Sequence, residues 1–371
     1  MAFLRIRGII DFLFSHPRAC LSLGFLILFV PSFFRVASSY ESSGDYTAIE
    51  RMILFNGWDD GYSFNQIMLK GYKSLPLKEY REMPLYPLFS RFVSLFTGPV
   101  YALMVVSFLS SLLSCHVMFL LLEKMGMRRI HALGGTFFFM TFRTPESLLG
   151  LLPHHLPPME MLVGIQGSEP LFLLFVLLSY YFMIQDRHLA SAFLLGLSTL
   201  VRLPGCFIAF GAFIYLLSKR DLRAFLYVFS PVVLVCVFFY YYLISGDFFA
   251  FFHASQAFYP QGVLTWPYGD LIKMIGHISH DPLRVSYYIF FHSVFLTGLL
   301  FLWKRERRLF WLTFPSYIVA ISLGGWSHHM RYYIILWGIN WSWYQILKEL
   351  GVRNWGRRRN WGQRNWGQTL Q

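Results

Sequence analysis

Five near-continuous apolar runs, Cys20–Val36, Val100–Leu122, Leu171–Ile184, Ala224–Ile244 and Tyr287–Trp303, constrain this chain most strongly. Each is close to, or somewhat shorter than, the roughly 20 residues needed to cross a hydrocarbon core of about 30 Å. Only 14% of the 371 residues are charged and the mean hydropathy is +0.48. A water-soluble domain of this size carries about a quarter charged residues, so this chain lacks the charge to coat a water-facing surface. The sequence therefore predicts an all-α, polytopic membrane protein.

A net charge of +13 would suggest nucleic acid in a soluble protein. Here the basic residues cluster in short connections: Arg5, Arg7 and Arg18; Lys124, Arg128 and Arg129; Lys219, Arg220 and Arg223; Lys304, Arg305, Arg307 and Arg308; then a tail from Lys348. They recur at alternate connections, the signature of cytoplasmic loops. The excess charge reads as topology with attraction to anionic membrane lipids, and no nucleic-acid partner is expected.

With the N-terminus inside, spans are expected at about 19–36, 100–122, 131–142, 168–184, 189–202, 204–218, 224–244, 286–303, 309–323 and 331–347. That gives about ten transmembrane or re-entrant helices with both termini cytoplasmic. Pro204 can open its helix, where a missing N–H costs little. Val36-Ala37-Ser38 forms a weak cleavage site, but an uncleaved first span keeps the following loop attached. A membrane domain over 1–348 thus precedes a tail, 349–371, in which Asn-Trp-Gly recurs at Asn354, Asn360 and Asn365 among arginines. This tail is too polar to pack a core and is expected to be disordered, whether it is dispensable or rests on the membrane surface. Cys20, Cys115, Cys206 and Cys236 fall in apolar segments and read as small hydrophobes.

The topology delivers two long connections to the outer face, about 37–98 and 245–284. The first concentrates acids in an acid-poor chain: Asp45, Glu50, Asp59, Asp60, Glu79 and Glu82. From Asp60 onward, Phe64, Ile67, Met68 and Gly71 recur at helical spacing, which predicts a short amphipathic helix on the membrane surface. Asp60 falls at its start, where the helix dipole favours a carboxylate, so a capping role and a chemical role both stay open.

WDDGYSFNQIMLKGY followed by MPLYP resembles the first-loop signature of the PIG-V family of mannosyltransferases, in the GT-C class of membrane glycosyltransferases. Counting back from Gly71-Tyr72 aligns Asp60 with the family's essential Asp and leaves Asp59 beside Trp58. Gly167-Ser168-Glu169-Pro170-Leu171-Phe172 is similar to its Ser/Thr-Glu-x-Leu-Phe, and Val201–Gly205 to its Arg-containing turn. Gly246-Asp247-Phe248 with His253 and Gln256 resembles its later outer loop, and Arg331-Tyr332-Tyr333 the opening of a late span. Asp45 with Tyr46 is similar to the first loop of other GT-C enzymes, which keeps Asp45 as a third candidate.

The resemblance implies an inverting enzyme that moves a hexose, mannose foremost, from a polyprenyl- or dolichyl-phosphate carrier to a lipid, glycan or protein acceptor on the outer face. Such a transfer needs a carboxylate to take the acceptor's proton, the role open to Asp60, Asp59 and Asp45. It also needs cationic or hydrogen-bonding groups on the departing phosphate. Arg331 with His328, His329 and Tyr332, or alternatively Arg202, are the candidates for that clamp, and Glu169, an acid at the start of an apolar span, is a further candidate for the substrate site. An Arg near a short membrane turn is costly unless paired or facing a cavity. The histidines show no metal-binding spacing, while a Mg²⁺ or Mn²⁺ held by loop carboxylates and the donor phosphate stays open. The compact length suggests a prokaryotic plasma membrane, with the endoplasmic reticulum as the other setting. The competing expectation is a secondary transporter or lipid flippase, whose charges lie at the membrane midplane in broken helices.

Overall fold

The computed structural model describes residues 15–38, 40–55, 60–141, 167–256, 266–276, 278–280, 282–322, 336 and 338–340. All regular secondary structure among them is helical. Apolar helices α1 (Pro17–Ala37), α5 (Pro99–Lys124), α6 (Arg129–Met140), α7 (Glu169–Ile184), α8 (His188–Val201), α9 (Pro204–Ser218), α10 (Phe229–Ser245), α13 (Pro282–Arg305) and α14 (Arg307–Ile321) form the bundle. Short helices α2 (Ala48–Phe55), α3 (Asp60–Lys70), α4 (Leu85–Thr97), α11 (Ala250–Gln256) and α12 (Gly269–Ile275) lie in the connections. Of the expected last span only residues 336 and 338–340 are described, and the 142–166 connection and the basic tail lie outside the described residues.

Among the described residues, two segments are long and apolar enough to cross a membrane by length and composition: Pro99–Lys124 and Leu222–Ser245, each with mean hydropathy 2.2. The second opens with a 3-10 turn over Leu222–Val228 before α10. Pro17–Pro31, Glu169–Ile184, His188–Val201 and Pro204–Ser218 are apolar but shorter. Their limits follow the expected spans to within a few residues, and Pro204 does open α9. Val232, Val235, Phe239 and Leu243 project outward from α10, and Leu88, Phe92, Leu95 and Phe96 from α4. Apolar faces of this extent are a liability in water and are at rest against lipid.

Polar side chains join the helices internally. The hydroxyls of Tyr180 and Thr313 hydrogen-bond at 2.7 Å, Ser179 and Ser191 at 2.8 Å, and Thr199 and Ser230 at 2.6 Å. Bonds of this kind, with small residues at close approach, hold helices together where lipid removes the hydrophobic drive. Gly211 is the closest approach: a Cβ there would run into the carbonyl of Trp311 and the ring of Pro315. Gly211→Val therefore forces α9 from α14, and about 1–3 kcal/mol of lost stability is expected from overpacking. The expected reading is a lower melting temperature in detergent, and an unchanged one would contradict this packing.

The basic connections gather at one end of the bundle. There Arg308 donates to the carbonyl of Ile184 at 3.2 Å and to Asp186 at 3.1 Å, and pairs with Glu306 at 2.7 Å. Asp221 pairs with Arg223 in the next connection. Asp60 and Glu82 of the first long connection lie instead with the start of α7 and the turn between α8 and α9.

Candidate active site

Four separated segments bring five charged side chains together. Asp60 is the first residue of α3, and its carboxylate accepts from Arg81 at 2.8 Å. Arg81 closes a 3-10 turn over Leu77–Arg81, set between Pro76 and Pro84. Its Nε meets Glu82 at 3.1 Å, so one guanidinium holds two carboxylates. Glu169 opens α7 and pairs with Arg202 at 2.5 Å, while the Arg202 Nε donates to Ser168 Oγ at 2.8 Å. Arg202 stands at the end of α8, just before Pro204 opens α9. The side chains of Asp60, Arg81, Glu82 and Arg202 are 16, 19, 12 and 15% exposed, and that of Glu169 is 4% exposed. The cluster is thus largely shielded from water but still reachable.

Local backbone explains the placement. Ser107 on α5 donates to the Gly167 carbonyl at 2.8 Å and is itself hydrogen-bonded to Tyr86 of α4 at 2.8 Å. Gly167 has φ +106°, and a Cβ there would lie 2.6 Å from Glu169 Oε2, so only glycine fits this entry to α7. Glu82 is fixed through its backbone: its carbonyl accepts from Tyr72 at 2.6 Å and from Tyr241 of α10 at 2.8 Å. The Tyr80 hydroxyl donates to the Tyr72 carbonyl at 3.2 Å, and the three tyrosine rings pack with centroids 5.1–5.5 Å apart. Around them Ile67, Met83, Val237, Phe238, Ala250 and Ala254 form an apolar cluster of their own. This cluster docks α11, from the second long connection, onto the 3-10 turn of the first.

The electrostatics of Glu82 follow from this crowding. Burial and then the Asp60 carboxylate push its carboxyl up, and Glu169 adds to this, against the pull of Arg81 and Arg202; the result is about 8. Tyr72 and Tyr241 also face it, and burial raises Tyr72 well above its ordinary value. At neutral pH the site is therefore two ion pairs, Asp60–Arg81 and Glu169–Arg202, beside a neutral acid. Because the folded state binds this proton more tightly than the unfolded chain, its contribution to stability is complete near pH 4 and is lost as pH rises through about 8. Detergent melting temperatures should fall over that window, and Glu82→Gln should flatten the fall; an equally steep fall in Glu82→Gln would contradict the assignment.

Of the candidates read from the sequence, Asp60, Glu169 and Arg202 are brought together. Asp60 heads a helix whose Phe64, Ile67 and Met68 are buried. Asp45 stands exposed in a tight turn closed by paired Ser43–Tyr46 backbone bonds, apart from these contacts. Asp59, His328, His329, Arg331 and Tyr332 lie outside the described residues. Asp247 caps the turn before α11, accepting from the Phe249 amide at 2.9 Å and meeting His253 at 2.6 Å. Arg81 was missed from the sequence, and Glu82 was noted only as one acid among several. An arginine flanked by glutamates between two prolines was the available signal. Among the described residues, no three His, Cys, Asp or Glu side chains are arranged to hold a metal ion.

Chemically, the arrangement offers one carboxylate for accepting a proton, one carboxyl able to donate, and two guanidiniums for an anion. The chain matches no protein-family model and no curated protein sequence.

Proposed function

We propose that this chain is a membrane glycosyltransferase of the GT-C kind. It moves a hexose, mannose foremost, from a polyprenyl- or dolichyl-phosphate donor to a lipid, glycan or protein acceptor on the non-cytoplasmic face. Asp60 takes the proton of the acceptor hydroxyl as it attacks C1 of the sugar, inverting that centre. Arg81 and Arg202 neutralise the departing phosphate, with Glu169 and Ser168 orienting Arg202. The protein crosses the membrane about ten times with both termini cytoplasmic, which sets the basic connections inside and the acidic cluster outside.

The observation that carries this proposal is the convergence of Asp60, Arg81, Glu82, Glu169 and Arg202 at one end of an apolar bundle. Burying two ion pairs and an acid held neutral at a membrane edge is expensive and marks function rather than stability. An apolar cavity of about 680 Å³ between α9, α10 and α14 adds support, with Phe207, Phe210, Pro231, Trp311 and Phe314 in its lining. Cys206, four residues along the chain from Arg202, is among its lining residues, and the cavity's size suits the hydrocarbon tail of a lipid-borne donor.

The test is incubation of membranes containing the protein, which supply native acceptors, with tritiated polyprenyl-phosphate mannose and, separately, polyprenyl-phosphate glucose. Protein-dependent loss of label from the donor into a new lipid-extractable or protein-bound product is expected. No transfer from either donor would overturn the proposal.

A further inference from the structure

Glu82 has no task in the transfer described so far, although it is the most carefully placed side chain of the cluster. We propose that Glu82 is a second catalytic carboxylate of this site, the general acid that protonates the departing phosphate while Asp60 accepts the proton of the acceptor hydroxyl. The assignment rests on the glycosyl-transfer function proposed above and names a residue that function does not require.

The step balances. The acceptor oxygen forms its bond to C1 as the bond from C1 to the phosphate oxygen breaks, and that electron pair leaves with the phosphate. The acceptor's proton goes to Asp60, and the proton of Glu82 goes to the phosphate oxygen that has just lost C1. The phosphodiester monoanion becomes a phosphomonoester monoanion, so no dianion is expelled into a shielded site. Asp60 is then protonated and Glu82 ionised. One proton passing from Asp60 to Glu82, as product leaves and water enters, restores the starting state. No co-reactant is consumed.

Three features of the geometry support this. Asp60 and Glu82 meet two nitrogens of one guanidinium, Arg81 Nη2 at 2.8 Å and Nε at 3.1 Å, so that charge can shift between them while Arg81 stays in place. Glu82 also lies within electrostatic reach of Arg202, the other cation assigned to the phosphate. Finally, two tyrosine hydroxyls, one from the first long connection and one from α10, converge on the Glu82 carbonyl and fix where its side chain starts. An acid and a base separated by their environments are the expected pair for displacing an anomeric substituent. Among the described residues, each charged or titratable group named here as facing Glu82 has a place in that scheme. Asp60 and Glu169 keep its proton on, Arg81 and Arg202 stabilise its anion after transfer, and Tyr72 and Tyr241 hold its backbone.

The experiment measures mannosyl transfer in the same membranes from pH 6 to 9.5, with the full chain and with E82Q. Two tritiated donors are used, polyprenyl-phosphate mannose and polyprenyl-diphosphate mannose, because the diphosphate is a better leaving group and needs no proton. Wild-type transfer from the monophosphate should fall about tenfold per pH unit above about 8, as the acid ionises. E82Q should lose on the order of 100-fold with the monophosphate donor, show no alkaline limb, and lose less than about tenfold with the diphosphate. A glutamate that only holds Arg81 in place would slow both donors alike. A wild-type rate that is flat between pH 7 and 9.5, or equal losses on both donors in E82Q, overturns the role of Glu82 alone. Wild-type membranes that transfer from neither donor overturn it together with glycosyl transfer. Should E82Q not accumulate, the wild-type profiles with the two donors decide: an alkaline limb with the monophosphate and none with the diphosphate supports the acid role, and the same limb with both donors overturns it.

Discussion

Asp60→Asn is expected to lower hexose transfer by on the order of 10²–10⁴-fold, the range for removing a positioned general base. Asparagine has nearly the shape of aspartate and can still accept the bond from Arg81, now 2.8 Å from the carboxylate. It keeps the start of α3 in place but cannot hold the acceptor's proton. The detergent melting temperature should therefore move little while the rate collapses, and that separation identifies a chemical role rather than a helix cap. Asp45→Asn is the matched control: its carboxylate stands exposed on the Ser43–Tyr46 turn, and transfer should stay within about twofold of wild type. Near-normal transfer by Asp60→Asn would remove Asp60 as the base, and a comparable loss in Asp45→Asn would move that role to Asp45.

The second large effect is on folding. Arg202→Ala leaves the Glu169 carboxylate, 4% exposed, without the guanidinium now 2.5 Å away. Removing one partner of a buried ion pair costs about 3–5 kcal/mol, because the survivor is a desolvated charge. Arg202→Ala should lower the melting temperature sharply or prevent accumulation. The double variant Arg202→Met with Glu169→Leu should recover most of that stability, since it removes both charges and keeps volume. It should not recover transfer, because no cation then stands beside Ser168 to meet a phosphate. Arg202→Ala with an unchanged melting temperature would show that Glu169 draws its compensation from another neighbour. Recovery of transfer in the double variant would exclude Arg202 from phosphate binding.

The bundle was legible in the sequence because apolar runs depend only on local composition. Spans expected at about 204–218 and 168–184 meet helices at Pro204–Ser218 and Glu169–Ile184, since proline and charge punctuate those boundaries. The run expected from Ala224 begins instead with a 3-10 turn over Leu222–Val228, a tighter winding that hydropathy does not register. Among site residues, the place of Asp60 at a helix start could be read from the periodicity of Phe64, Ile67 and Met68 that follows it, while its candidacy for chemistry rested on the resemblance of that loop. The pairing of Arg81 with Asp60 spans 21 positions through a helix, a loop and a turn, and no local pattern encodes it. Glu82 was harder still. Its side chain looks like any loop acid, and its distinction comes from Tyr241, 159 residues away, which holds its backbone.

That last contact also makes the site sensitive to its solvent. Leu222–Ser245 has 24 residues, about 36 Å if fully helical, against a hydrocarbon thickness of about 30 Å. A segment of that length meets the mismatch by tilting, and it tilts further as the bilayer thins. Tyr241 lies one turn from its end and grips the Glu82 carbonyl at 2.8 Å. On the topology and chemistry proposed above, a change of tilt would reach the spacing between Glu82, Arg81 and Asp60 through that one phenolic oxygen, which would make membrane thickness an input to the transfer.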